Sequence, residues 1–109
     1  MITIEDFNKV QICVGTVISV SINKKARKPA YQVTLDFGAE LGKKTSSAQL
    51  TELYQPEDLL GKQLVCCVNL EPMHIGSVKS EVRILGTDSK QGVVLLTTME
   101  PVESGDKVY

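Results

Sequence analysis

A chain of 109 residues fits one domain, residues 1–109, with surface enough for a single core and little surplus. Its apolar content of 42 % is that of an ordinary globule, and it holds no run of about 18 apolar residues, so no membrane insertion is expected. The start, MITIEDFNKV, has neither a basic opening nor a long apolar segment, which argues against a signal peptide and predicts a cytoplasmic location.

Along the chain there is no linker, repeat or low-complexity segment, and turn residues are spread evenly, as in an all-β domain. Thr3 to Phe7 reads as a capped helical turn. Thr3 can accept from the backbone N–H groups that a first turn leaves unpaired, and Glu5 and Asp6 suit its positive end. Ile4 and Phe7 share one face of that turn, so it should pack onto something. From Ile12 to Ile22 the pattern has period two, with Ile12, Val14, Thr16, Ile18, Val20 and Ile22 on one face of a long strand that Gly15 can bend. A basic loop, Asn23 to Pro29, follows. Tyr31, Val33, Leu35 and Phe37 then alternate in a second strand closed by Gly38.

Lys43 to Ser47 reads as a weaker third strand. Leu50, Leu53 and Tyr54 stand at helical spacing. Pro56 to Gly61 reads as a helical turn, with Pro near its start and Gly at its stop. Gln63 to Val68 is a short apolar strand ending at Asn69, and Glu81 to Leu85 is an alternating strand ending at Gly86. Val93 to Thr97 is the last strand, and Val102 to Tyr109 an extended tail. Five main strands, a short helical segment at the N-terminus and another between strands three and four predict a small closed barrel.

The chemistry of the chain points away from catalysis. His74 is the only histidine. There is no phosphate-binding glycine loop and no metal-ligand spacing, so neither enzymatic activity nor a cofactor is expected. The three cysteines, Cys13, Cys66 and Cys67, give no C-x-x-C pair; at least one of Cys66 and Cys67 should be a small core hydrophobe. The net charge of −1 hides an uneven distribution. Lys24, Lys25, Arg27, Lys28, Lys43 and Lys44 are half of all basic residues, whereas the C-terminal end is acidic. Such a cluster serves either as a solvated loop or as a field that attracts polyanions.

The stretch from Leu60 to Gly86 puts Asn69, Pro72, Gly76, Ser80 and Glu81 between two strands, more fixed polar chemistry than a plain connection needs. Asn69-Leu70, Pro72, Ile75-Gly76 and Ser80-Glu81 resemble the NL-x-P-x-x-I…SE pattern of the tRNA-binding domain family. Asp6-Phe7 with Val14 to Val17, Ala26 to Tyr31, Asp36 to Gly38 and Ser46 to Thr51 resemble its CsaA group of secretion-associated chaperones. The resemblance runs from about Asp6 to the C-terminus. It selects the OB-fold, where the pattern alone leaves another small barrel open.

The resemblance implies two ligand classes. For RNA it offers Lys24, Lys25, Arg27, Lys28, Lys43 and Lys44 to phosphates, and Ser47, Asn69, Ser80 and Glu81 as hydrogen-bonding groups. The alternative for Asn69 is a structural turn residue, and for Ser80-Glu81 a loop-closing hydrogen bond. Members that bind tRNA well tend to be basic after the NL pair; here the sequence reads Glu71-Pro72-Met73-His74, which lowers the expected tRNA affinity. For polypeptides, Met73, His74 and Ile75 can form an apolar patch flanked by charge; alternatively Ile75 is core and Met73 covers it. The group's homodimers imply an interface, for which Ile4, Phe7, Val102 and Val108 are candidates. The reading is therefore an ATP-independent cytoplasmic homodimeric chaperone for unfolded or export-destined polypeptides, with the export ATPase as a possible partner. The alternative is a tRNA-binding module that recognises shape and phosphates.

Overall fold

The computed structural model describes all residues, 1–109. Helix α1 (Ile4–Asn8) is set by a capping box: the Thr3 hydroxyl accepts from the Asp6 N–H, and the Asp6 carboxylate accepts from the Thr3 N–H. Then come β1 (Ile12–Ile22), β2 (Tyr31–Asp36), α2 (Gly38–Leu41), β3 (Lys43–Ala48), α3 (Pro56–Leu59) and β4 (Gln63–Cys67). The last third holds β5 (Met73–Ile75), β6 (Val78–Ser80), β7 (Arg83–Ile84), β8 (Gly86–Ser89), β9 (Gly92–Leu95) and β10 (Lys107–Val108).

The main sheet runs β3-β2-β1-β4-β7, antiparallel throughout, with β10 added to the start of β1. It coils into a nearly closed five-stranded barrel with a few short helices, the expected OB-fold. Val33 and Leu35 of β2, with Phe37 just after it, meet Leu59, Leu64 and Val82 in the core. Two hairpins, β5–β6 and β8–β9, stand apart from this sheet.

Barrel closure does not use a regular ladder. The Glu81 N–H donates to the Thr45 carbonyl at 2.8 Å, and the Ser47 N–H donates to Ser80 Oγ at 3.0 Å. Thr45 donates its N–H to Glu81 Oε1 at 3.2 Å and its hydroxyl to the Lys79 carbonyl at 2.7 Å. Side chains of Ser80 and Glu81 thus satisfy edge N–H groups of β3 that a closed sheet would otherwise pair, and the Thr45 hydroxyl satisfies the Lys79 carbonyl of β6.

Several expectations need correction. The register of β1 against β2 shifts between Val17 and Ser19, so Ile18 lies at a bulge. Cys13 and Val17 face the core before it and Val20 packs there after it, while Ile18 and Ile22 are exposed. One unpaired residue therefore swaps the buried face that simple alternation predicts. Gly15 is buried against Phe37: a Cβ there would come within 2.7 Å of the ring. The segment after β3 is a turn rather than a helix, held by one Tyr54 N–H to Leu50 carbonyl bond of 3.3 Å. The expected strand from Glu81 to Leu85 is broken, because Val82 turns into the core and only Arg83 and Ile84 pair with β4.

The C-terminal tail is fixed on its own barrel rather than loose. Gln63 donates Nε2–H to the Val102 carbonyl at 2.5 Å and accepts from the Val102 N–H at 2.9 Å. The Val14 N–H donates to Asp106 and its carbonyl accepts from Gly105, so the tail buries Val14 from outside. No helix is long and apolar enough to cross a membrane.

Candidate functional site

The hairpin β5–β6 turns at Gly76-Ser77. Gly76 has φ of 60° and no other residue type takes a positive φ, which fits a two-residue turn with Gly at its first central position. The turn presses on the basic loop: a Cβ on Gly76 would lie 2.6 Å from the Lys25 carbonyl carbon and 2.8 Å from the Ala26 nitrogen. Asn23, only 4 % exposed, joins the two. Its Nδ2 donates to the Ile75 carbonyl at 2.8 Å and to Ser47 Oγ at 3.0 Å. Nothing in the composition marks Asn23 as special; only the fold brings Ser47 and Ile75 to it.

Two concavities meet here. A pocket of about 520 Å³ lies between the basic loop and the hairpin, lined by Lys25, Arg27, Lys28 and His74. A groove of about 680 Å³ runs from the end of β3 past β5 and β6 to β8. Ser47, Gln49 and Ile75 line both, so the two form one continuous trough. Leu50 and Val82 are buried along the groove, Ile75 is half-buried, and Met73 is 64 % exposed.

The candidates from the sequence separate accordingly. Lys25, Arg27, Lys28, Ser47, Met73, His74, Ile75, Ser80 and Glu81 line the trough, and Lys24 lies on the same loop. Lys43 and Lys44 do not join them. They sit opposite Asp36 and Leu35 at the far end of β3, about 16 Å and 13 Å along the strand from Ala48. Lys44 lies 3.9 Å from a Glu81 carboxylate oxygen. Asn69 is tied to backbone at both ends: Oδ1 accepts from the Gln11 N–H at 2.9 Å and Nδ2 donates to the Lys9 carbonyl at 2.7 Å. Ile4 and Phe7 are 66 % and 37 % exposed, whereas Val102 and Val108 are half-buried in the docked tail. Groove residues that the sequence did not single out for a site include Gln49, Leu70, Glu71, Arg83 and Asp88. The signal within reach was Gly76-Ser77, a two-residue hairpin turn between short apolar runs.

The cysteines stand apart from the trough. Cys13 and Cys66 face each other across β1 and β4, and all three are buried and free. Burial pushes the Cys66 thiol up to about 12, with smaller contributions from Cys13 and Cys67. Burial also raises Cys13, against a lowering by Lys107.

The tRNA binding domain family matches residues 12–107, from the first residue of β1 into β10. The chain belongs to that family. Its likeness to solved CsaA chaperones extends over whole chains. The Picrophilus torridus structure is 43 % identical with a TM-score of 0.95, covering 100 % of both chains. The Bacillus anthracis one is 43 % identical with a TM-score of 0.93, covering 100 % of this chain and 99 % of the other. A methionyl-tRNA-synthetase-related protein from Pyrococcus horikoshii is 28 % identical with a TM-score of 0.87, covering 100 % and 98 %. Among curated relatives, the methionine–tRNA ligase of Methanocella arvoryzae is 38 % identical over 98 % of this chain. The chain spans 15 % of that ligase, the part that corresponds to a tRNA-binding domain.

Proposed function

We propose that this protein is an ATP-independent cytoplasmic chaperone that binds unfolded or export-destined polypeptides as a homodimer. The observation that carries the reading is the trough: apolar side chains of Leu70, Met73 and Ile75 lie beside charged walls, and Met73 is free to adapt to varied side chains. Full-length likeness to CsaA chaperones supports the same class. Met73, His74 and Ile75 are the peptide-contacting candidates. Ile4 and Phe7 offer exposed apolar surface for a second copy, and Val102 and Val108 offer the edge of the docked tail. The export ATPase is the proposed partner that would receive the client. Stoichiometric amounts should suppress light scattering by an aggregating client without nucleotide, and Met73→Asp should weaken that suppression. Unaltered scattering would end the chaperone reading.

A second reading has its own observation. The pocket formed by Lys25, Arg27 and Lys28 suits phosphate oxygens, and the family is a tRNA-binding one. In this reading Lys24 adds to the phosphate contacts and Ser47, Ser80 and Glu81 lie near the RNA. Binding to tRNA that does not weaken between low and moderate salt would count against it.

A further inference from the structure

The trough is charged unequally along its length. Lys25, Arg27 and Lys28 line the pocket end. In the wider groove the ionisable lining groups are Glu71, Glu81, Asp88 and Arg83. Glu81 is engaged by Thr45 and Lys44. Glu71, Asp88 and Arg83 are exposed and make no ion pair, since the only pairs are Lys9–Asp6 and Lys44–Glu81. The two ends thus carry opposite excess charge, with Ile75 shared between them.

The walls also offer backbone. Strand β8 pairs only with β9, and Gly86 to Asp88 line the groove. Its other edge presents N–H and C=O groups to whatever lies alongside.

We infer that the trough takes an extended polypeptide segment in one orientation, an inference that rests on the chaperone reading above. An acidic residue of the segment lies in the pocket of Lys25, Arg27 and Lys28. Apolar side chains cover Ile75 and Met73, and a Lys or Arg lies beside Glu71 and Asp88. Strand addition to β8 supplies affinity that does not depend on side-chain identity, and the two charged ends set the direction. A nucleic-acid strand matches less well: its uniform negative charge suits the pocket but meets the carboxylates of the groove.

The test uses the full-length protein and five fluorescein-labelled peptides that share one apolar centre. They carry Glu then Lys at the two ends, Lys then Glu, Lys at both, Glu at both, or Gln at both. At low salt we expect one mixed-charge peptide to bind about fivefold more tightly than its reverse and than the Gln peptide. The preference should shrink as salt rises. The double variant Glu71→Lys with Asp88→Lys should lose it and favour the peptide with Glu at both ends. Equal affinity for the two mixed peptides, or tightest binding by a peptide with one sign of charge, overturns the inference and leaves the chaperone reading standing. Failure of all five peptides, with an oligoribonucleotide bound under the same conditions, overturns both.

Discussion

Ser80, Glu81 and Asn23 show how a few polar side chains hold this molecule in shape. Each replaces backbone pairing that the chain geometry does not supply. Asn23 is the most enclosed, and Asn23→Ala leaves the Ile75 carbonyl and Ser47 Oγ without their donor. We expect a loss of about 1–3 kcal/mol in denaturant-induced unfolding, together with faster hydrogen exchange in the hairpin β5–β6. Cys66 supplies a pH-dependent prediction. Its folded value of about 12 lies above its ordinary 9.0, so the unfolded chain loses the proton first. The stability associated with the protonated thiol is fully present below pH 9 and falls as pH rises toward 12. The wild type should therefore lose stability more steeply across that window than Cys66→Ala, as read from denaturant midpoints. A thiol reagent at pH 8 should also modify Cys66 only as fast as the chain opens.

At the level of elements, the tail and the hairpins differ in how firmly they are held. The tail depends on Gln63, which satisfies both backbone groups of Val102. Gln63→Ala should strip protection from Val102, Gly105 and Val14 in hydrogen exchange while leaving the β2–β3 ladder protected. Unchanged exchange at those three amides would show that the bonds of Gly105 and Asp106 to Val14, with β10, hold the tail without Gln63. The bounds of β1 and β2 were legible because apolar residues alternate through them. The inward face of β1 was not, because a bulge at Ile18 shifts the register and only pairing with β2 reveals it. The fifth strand misled for a related reason: Val82 points inward on its own merits, yet the backbone there leaves one partner for another. Within the trough, the basic loop and Met73 to Ile75 could be read from side-chain type. Asn23, Asp88 and Gln49 could not, because each matters through residues remote in sequence: Asn23 bonds to Ser47, 24 positions on, and Asp88 and Gln49 line the groove together with Glu71 and Met73.

For the molecule as a whole, the separation of the lysines divides their expected roles. Lys25 lines the pocket, while Lys43 lies at the other end of β3. If tRNA binds in the trough, Lys25→Ala should flatten the salt dependence of log K by about 0.7–0.9, and Lys43→Ala should leave the slope unchanged. Equal effects of the two substitutions would mean that RNA approaches a different face. The seam between β3 and Ser80-Glu81 also governs the order of events in folding. The meander of β1, β2 and β3 pairs neighbours in sequence and can form early, whereas the seam joins residues 33 to 36 positions apart. The trough has one wall on each side of that seam. It exists only once the barrel has shut, so a nascent copy of this protein has no binding site to offer until its own last closure is complete. In refolding from denaturant, binding of a labelled peptide should therefore appear with the slowest structural phase and never ahead of it.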